Sequence, residues 1–234
     1  FVHGGDIFHA TTRIDQQNLT DLEKCLPLAP IHNPNSFSVI RVCAQTLPRL
    51  PQFAVFDTAF HAGLPADARA YALPAELALG YGLRKFGFHG LSYQYVSAQA
   101  AKMLGKPLDQ VKLIMCHLGT GGSSVCAFAD GRSVDTSMGF SPLAGLVMST
   151  RCGDIDAEVG LELVRQGMSA DEVSRVLNQE SGLIGLSGYS SNLAEIIDAA
   201  ENGNENCRLA YEVYARRLKF YLGAYTWLLS GADA

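Results

Sequence analysis

Apolar runs separated by glycine-containing turns predict a group of short strands in the middle of the chain. The runs are residues 112–118 (KLIMCHL), 123–128 (SSVCAF) and 132–137 (RSVDTS), with GTGG and ADG between them. This spacing is typical of hairpin-linked strands. The glycine loop is also a candidate phosphate cradle, because backbone N–H groups can converge on an anion where no side chain intervenes. Glycine turns are equally common as purely structural devices.

Helical periodicity marks two further segments. Residues 93–104 predict a helix that begins near Gly90 or Ser92 and ends at Gly105. Ser169 and Glu172 have the spacing of a capping box and precede an apolar pattern at helical spacing.

A long amphipathic helix is predicted over residues 204–229. Its apolar face is expected on or near Leu209, Val213, Leu218 and Leu222. Strands gathered early and helices late indicate a sheet backed by helices, which is an α/β fold.

The N-terminal part predicts a proline-marked loop, a helix and a buried strand. The strand covers Phe53 to Phe56 and ends on Asp57. An acidic residue at the carboxyl end of a buried strand lies where open α/β sheets expose their ligands. The alternative is an aspartate that only terminates the strand in a turn.

Composition and charge exclude some classes of partner. The chain has 234 residues, 48% of them hydrophobic, and a formal charge of −5, which favours a soluble globular protein with a substantial core. Without an overall basic field we expect no nucleic-acid or membrane partner, and an anionic substrate would need locally placed cations. The longest weakly charged stretch, residues 220–232, is too short to span a bilayer.

The cysteines and the chain ends add two expectations. Six cysteines, none in C-x-x-C spacing, indicate reduced thiols in a cytoplasmic protein. The chain opens at FVHGGD and ends just after the long helical pattern, so we expect an internal segment of a longer protein.

Candidate chemistry centres on histidines beside glycines or strand ends. His3, His61, His89 and His117 occur in VHGG, FDTAFH, FGFHG and CHLG. Each alone is more often a hydrogen-bonded core residue. Neighbouring glycines, however, let an imidazole approach a ligand closely.

Arg151 is the candidate cation. It lies in STRCGDID, where a turn could present its guanidinium to phosphate or carboxylate. On local sequence alone, a surface arginine paired with Asp154 or Asp156 is favoured.

Together these segments resemble the acetate and propionate kinases. The motifs that carry the resemblance are VHGG, LAPIHNP, AVFDTAFH, YALPAEL, YGLRKFGFHG, HLGTGGSS, SVDTSMGFSPLAGLVMSTRCGDID and SGLIGLSGYSS, and they extend over essentially the whole chain. The resemblance implies the actin-like ATPase fold (the sugar-kinase-like, ribonuclease H-like fold) of a two-domain kinase. Residues 1–59 would end the first actin-like domain, and residues 60–234 would form most of the second.

The implied activity is reversible transfer of the γ-phosphoryl group of ATP to acetate or propionate, with Mg²⁺, to give an acyl phosphate and ADP. In such reactions catalysis is mainly positioning and electrostatic stabilisation. The resemblance also implies a homodimer. It implies no metal ligand within this chain, so these 234 residues alone are expected to be inactive or nearly so.

Residue by residue, the resemblance assigns catalytic roles to four positions. His89 and Arg151 would stabilise the transition state, and His3 would be a further phosphoryl contact. Asp57 would help to organise the metal and the acid. Gly90 would leave room for the phosphoryl group.

The resemblance also implies binding positions. An apolar pocket for the acyl group would include Val2, Phe88 and Pro142. The nucleotide-phosphate loop would be formed by His117, Leu118, Gly119, Thr120, Gly121 and Gly122. A nucleotide-binding segment would correspond to Asn192, Leu193 and Ala194.

Three departures from the family pattern accompany the matches. The phosphate loop lacks the usual asparagine and has Thr120 in a longer loop, and Ala194 stands where an arginine is usual. Leu91, Ser92 and Tyr93 follow Gly90 where threonine, serine and histidine are common. The alternatives are therefore the same chemistry with pyrophosphate as donor, or a degenerate member that binds ligand without turnover.

Overall fold

The computed structural model describes residues 1–30, 32–119 and 121–234. The first part holds the two-residue strands β1 (Thr12–Arg13) and β2 (Phe53–Ala54), which pair antiparallel, and the helices α1 (Gln16–Lys24) and α2 (Asn33–Thr46). A cluster around Phe8, Leu22 and Phe56 forms its core.

The prediction of a buried strand over Phe53 to Phe56 is only partly confirmed, since a strand begins at Phe53 and both Ala54 and Phe56 are buried. Regular pairing covers only Phe53–Ala54, and the Phe53 side chain is 60% exposed. The partner strand has only two residues, so the ladder ends early. The chain then runs beside the N-terminal residues, where the Asp57 N–H donates to the Val2 carbonyl at 3.2 Å.

The three predicted central strands are confirmed. β3 (Leu113–Leu118), β4 (Ser123–Ala129) and β5 (Arg132–Thr136) form an antiparallel sheet in that order. Asp130 and Gly131 both have positive φ, as the tight turn between β4 and β5 requires. His117 lies opposite Ser124 in the register of β3 and β4, and this register matters for the site.

Helices cover both faces of this sheet. On one face, α5 (Gly90–Leu104) packs through Tyr93 and Ala101 against Met115, Cys126 and Phe128. On the other face, α10 (Glu205–Leu228) brings Tyr225 against Val125 and Ala127. Since alternate residues of β4 point to opposite faces, every residue of β4 is buried.

Shorter helices complete the fold. They are α3 (Ala66–Arg69), α4 (Ala75–Gly80), α6 (Ala157–Arg165), α7 (Ala170–Arg175), α8 (Gly182–Ser187) and α9 (Leu193–Glu201). The capping box of Ser169 and Glu172 is confirmed at the start of α7. The end of α5 at Gly105, which has a left-handed φ of 64°, is confirmed as well.

The predicted long helix is confirmed, but its apolar face is partly wrong. The buried face carries Cys207, Ala210 and Tyr214, which lie in one core cluster with residues of α8 and α9. Leu209, by contrast, is 51% exposed. Spacings of three and four residues from Cys207 define the buried face, and Leu209 falls outside it.

All six cysteines are free thiols, but only Cys25, Cys126 and Cys207 are buried, and Cys116 is exposed. Among the helices in the described ranges, none is long and apolar enough to cross a membrane.

Candidate active site

The turn that carries His89 is built on Asp57. His89 precedes α5 with a left-handed φ of 60°. Its N–H donates to Asp57 Oδ2 at 2.6 Å, and the Leu91 N–H faces Oδ1 at 3.4 Å. A carboxylate at a helix N-terminus satisfies free N–H groups and complements the helix dipole. Asp57 therefore fixes where α5 begins.

Gly90 is required for the contact between the start of α5 and Asp57, and its missing side chain does not open access for a ligand. Its N–H donates to the Asp57 carbonyl at 2.9 Å. A Cβ added to Gly90 would lie 2.2 Å from that carbonyl oxygen and 2.8 Å from Phe60 Cβ. The space beside Gly90 is thus filled by the protein, so the expectation that it leaves room for a phosphoryl group is wrong.

The imidazole of His89 is held on one edge and stacked on one face. Its Nδ1 lies 2.8 Å from Ser124 Oγ, and its ring stacks on His117 with 4.0 Å between ring centroids. Burial, reinforced by His117 and Arg151, lowers the pKa of His89 to about 4. The ring is neutral at pH 7, and Nε2 is the nitrogen that remains for a ligand.

The loop between β3 and β4 closes over these two rings. The Gly119 N–H donates to the Gly122 carbonyl at 3.1 Å. A Cβ added to Gly119 would lie 3.2 Å from His117 Nε2, whereas one added to Gly121 would meet open space. Leu118, the last residue of β3 before this loop, is half-exposed. Thr120, the remaining predicted cradle residue, lies outside the described residues.

The turn that carries Arg151 is supported by α8. The Leu183 N–H donates to the Met148 carbonyl at 2.9 Å, and the Ser181 N–H donates to the Thr150 carbonyl at 3.0 Å. Gly182 has a φ of 65°, and an added Cβ would lie 2.2 Å from the Met148 carbonyl oxygen. Only glycine allows this close packing.

The guanidinium of Arg151 is not paired with the acids nearest in sequence. Asp154 accepts from the Tyr221 hydroxyl at 2.5 Å, and Asp156 accepts from the Glu158 N–H at the start of α6. The prediction of a surface pair with either aspartate is therefore wrong. In the part of the chain that the structure describes, Arg151 forms no ion pair.

His89, Arg151 and the glycine loop meet at one point. A Cβ added to Gly122 would lie 3.2 Å from His89 Nε2 and 3.5 Å from Arg151 Nη1. A neutral imidazole nitrogen and a cationic guanidinium therefore lie beside the same point, where glycine places no side chain. With a proton on Nε2, the two groups would suit an anion with several oxygens, such as a phosphoryl group.

An apolar cluster adjoins this point. Val2 packs against Phe88, Met138 and Met148, and Arg151 Nη1 approaches Met148 Sδ at 3.8 Å. Val2 and Phe88 were predicted from the sequence, whereas both methionines were not. Their apolar segments, SMGF and VMST, were the available signal.

Pro142 joins the same neighbourhood through its backbone. Its carbonyl accepts from Arg151 Nη1 at 3.4 Å. The three predicted pocket residues therefore all lie near the guanidinium or the apolar cluster beside it.

His3 lies behind Phe88 and is completely buried. Its Nδ1 accepts from the Gly5 N–H at 3.0 Å, and its ring meets Phe86 and Phe88 edge-on. Burial lowers its pKa to about 4. Its Nε2 has no hydrogen-bond partner among the described residues. The phosphoryl role of His3 stays a prediction.

His61 is a hydrogen-bonded core histidine, which is the structural alternative to a role in catalysis. Its Nδ1 lies 2.8 Å from Ser133 Oγ, and its Nε2 lies 2.9 Å from the Phe88 carbonyl oxygen. Both nitrogens are therefore occupied, and the residue anchors the turn before His89 to β5.

The predicted nucleotide segment begins α9. Asn192 Oδ1 accepts from the Ala194 N–H at 3.0 Å, which caps the helix. Leu193 packs against the core formed by α8, α9 and α10, whereas Ala194 is exposed. This segment makes no contact with His89 or Arg151 among the described hydrogen bonds.

The donor set does not fit a magnesium site. Mg²⁺ prefers octahedral coordination by oxygen, but both carboxylate oxygens of Asp57 already face backbone N–H groups. In residues 1–30, 32–119 and 121–234, no three His, Cys, Asp or Glu side chains converge.

The architecture indicates the class of proteins that this chain resembles. Solved structures that superimpose closely include acetate kinase from Porphyromonas gingivalis, with a TM-score of 0.94 and 41% identity over 99% of this chain and 58% of that chain. Propionate kinase from Francisella tularensis gives 0.92 and 41% over 97% of this chain and 58% of that chain. The fold is thus that of the actin-like ATPases, as the resemblance implied.

The family follows from the sequence comparison. The Acetokinase family model matches residues 1–234, so the chain belongs to that family. It is 50% identical to the acetate kinase of Clostridium botulinum (strain Kyoto / Type A2) over all 234 residues, which is 59% of the length of that relative.

Proposed function

We propose that this protein is a short-chain carboxylate kinase that transfers the γ-phosphoryl group of ATP reversibly to acetate or propionate. The products would be an acyl phosphate and ADP, formed by direct in-line transfer. The chain spans less than two thirds of the length of these relatives. The activity of the whole protein is therefore inferred from family membership and from the site.

One observation carries the proposal. His89 Nε2 and Arg151 Nη1 face the same point beside Gly122, next to an apolar cluster that includes Val2 and Phe88. A phosphoryl group at that point would receive two donors, while a short alkyl chain would be buried beside it. An acyl phosphate has both parts in adjacent positions.

The proposed catalysis is electrostatic. Negative charge spreads over the phosphoryl oxygens during transfer, and Arg151 and His89 would bind those oxygens more strongly as the charge develops. The buried backbone around them would limit reorganisation, since a preformed donor does not need to move at the moment of reaction. Asp57 would act by holding the His89 turn in place.

Nucleotide and metal belong to the same proposal. The loop from His117 to Gly122 would contact the nucleotide phosphates, with Asn192, Leu193 and Ala194 on the nucleoside side. Mg²⁺ would accompany ATP, as the family resemblance implies. Thr120 and Ala194 motivated pyrophosphate as an alternative donor, but no comparison favours it over ATP.

The remaining assignments are also proposals. We infer a division into residues 1–59 and 60–234, supported by the separate apolar cluster that the first segment forms. We further infer a homodimer and a cytoplasmic location, the latter supported by six free thiols. The choice between acetate and propionate rests on one methylene, worth about 1 to 3 kcal/mol in an apolar pocket.

The test is a hydroxylamine-trapping assay on the whole protein. Acetate, propionate and butyrate are supplied with Mg²⁺ and either ATP or pyrophosphate. We expect hydroxamate from acetate or propionate with ATP. If none of the acids gives an acyl phosphate, the proposal is contradicted. Faster turnover with pyrophosphate than with ATP would show that pyrophosphate is the phosphoryl donor.

A further inference from the structure

Ser124 connects His89 to a buried tyrosine. Its hydroxyl oxygen lies 2.8 Å from His89 Nδ1 and also forms a short hydrogen bond with the Tyr93 hydroxyl. Ser124 and Tyr93 are 0% and 1% exposed, so water does not substitute for either partner. The β3–β4 register and the helix α5 bring these three side chains together.

The Tyr93 hydroxyl lies at the end of this series of hydrogen bonds, and it sets the direction of the others. Among the described residues, Ser124 Oγ is the only hydrogen-bond partner of the Tyr93 hydroxyl. The phenol therefore donates its proton to Ser124, because a buried donor needs an acceptor. Burial raises the pKa of Tyr93 above its usual value, which keeps the phenol protonated as a donor.

The serine must then pass its proton to the imidazole. Ser124 has a single O–H, and its partners among the described residues are Tyr93 and His89 Nδ1. If His89 donated to Ser124 as well, the buried Ser124 O–H would have no acceptor, so this O–H points at His89 Nδ1. In the opposite direction, Ser124 would donate to Tyr93. The Tyr93 proton would then have no acceptor within the described residues, and an unsatisfied buried donor costs about 1 to 3 kcal/mol.

We propose that Tyr93 is a positioning residue that acts through Ser124 to hold His89 in the tautomer protonated at Nε2. In this tautomer the N–H of His89 points toward the space shared with Gly122 and Arg151. The other tautomer would present a lone pair to that space and would repel phosphoryl oxygens. The tautomer itself is independent of the proposed function, whereas its catalytic consequence rests on it.

The direct test is nitrogen NMR of the protein carrying ¹⁵N-labelled histidine at neutral pH. The His89 signals are assigned by their loss in His89→Gln. We expect Nδ1 to be unprotonated and Nε2 protonated in the unmodified protein. In Tyr93→Phe, Ser124 can either donate or accept, so both tautomers should be present.

Matched variants separate this role from packing. Tyr95→Phe removes an exposed hydroxyl from the same helix and should leave the His89 signals unchanged. Ser124→Ala should alter the tautomer, whereas Ser124→Thr keeps a hydroxyl and should restore it. Tyr93→Phe retains the ring in the core, so it remains informative if Ser124→Ala fails to fold.

Kinetics of the whole protein provide the second readout. We expect Tyr93→Phe to lower kcat at least tenfold with little change in KM for the carboxylate, because the ligand-facing groups are retained. A His89 that is Nδ1-protonated, or that keeps its tautomer and full kcat in Tyr93→Phe, would overturn the proposal. Absence of acyl-phosphate formation by the unmodified protein would instead overturn the proposed function.

Discussion

At the scale of single residues, the site depends on glycines that keep donors and backbone close. Gly90 lets α5 start against Asp57, and Gly122 leaves a space between His89 and Arg151. Neither role concerns flexibility. In both cases the missing side chain permits a contact distance that alanine would not.

A methyl group at Gly122 should therefore reduce activity directly. In Gly122→Ala the new Cβ would lie 3.2 Å from His89 Nε2 and 3.5 Å from Arg151 Nη1, so it would displace one of them and occupy the ligand space. We expect a loss of kcat/KM of at least tenfold in the hydroxamate assay, with little change in Tm.

Gly63→Ala is the matched control, because its Cβ would meet nothing within 4 Å and Gly63 lies outside the residues assigned to the site. This variant should retain most of the activity. Equal activity of the two variants would contradict the location of the ligand space beside Gly122.

The charge of Arg151 should contribute mainly to the transition state. A donor aimed at developing charge is worth about 3 to 4 kcal/mol, so Arg151→Ala should lower kcat a hundredfold or more in the whole protein. Arg165→Ala, which removes only an exposed arginine paired with Glu158, is the control. A loss confined to KM would show that Arg151 contributes only ground-state binding.

At the scale of elements, the Arg151 turn and the helix behind it act as one unit. α8 donates backbone hydrogen bonds into residues 148–150, and Gly182 packs directly on that backbone. The position of the Arg151 guanidinium therefore depends on α8, which contributes no side chain to the proposed ligand space.

This packing predicts a stability difference between substitutions of two glycines, Gly182 at the start of α8 and Gly188 just after its end. Gly182→Ala would place a Cβ 2.2 Å from the Met148 carbonyl oxygen, whereas Gly188→Ala at a similar positive φ would meet open space. The left-handed conformation alone costs alanine about 1 to 2 kcal/mol. Urea unfolding should show a clearly larger loss for Gly182→Ala. Equal losses would mean that the contact with the turn is unimportant.

Local patterns predicted the elements better than the contacts between them. The strands β3 to β5 and the start of α7 were predictable, because turn glycines and a capping box are encoded by adjacent residues. β2 was not, since its length depends on a partner strand far away in sequence. Leu209 was assigned to the wrong face because its exposure depends on how α10 meets α8 and α9.

The same distinction applies to the candidate site. The motifs identified His89, Arg151 and Phe88, which the fold brings into one neighbourhood. They did not reveal Ser124, Met138 or Met148 as neighbours of those residues, because sheet register and loop packing join distant segments. His61 illustrates the converse, since its motif suggests chemistry while both of its nitrogens serve the core.

At the scale of the whole molecule, buried neutral histidines connect the site to stability. Burial lowers the pKa values of His3, His61 and His89 to about 4 from 6.5. Between pH 6.5 and 4 the unfolded chain binds protons that the folded chain does not, so stability falls as pH falls. Each imidazole contributes up to about 1.4 kcal/mol per pH unit in this window.

Urea unfolding at several pH values between 4 and 6.5 checks this expectation. His61→Gln should reduce the pH dependence by about one third, because one of three such groups is removed. His9→Gln removes an exposed imidazole and serves as the control. Stability that rises toward acidic pH would contradict the inferred neutral state of the buried histidines.

The central claim is that the protein forms an acyl phosphate at the point where His89 and Arg151 meet. The most direct measurement is ³¹P NMR of the whole protein with Mg²⁺, ATP and acetate or propionate. We expect loss of the γ-phosphoryl signal of ATP with matching growth of acyl phosphate and ADP, and a rate reduced at least a hundredfold in Arg151→Ala. ATP that persists with both acids, or that yields only inorganic phosphate, would contradict it.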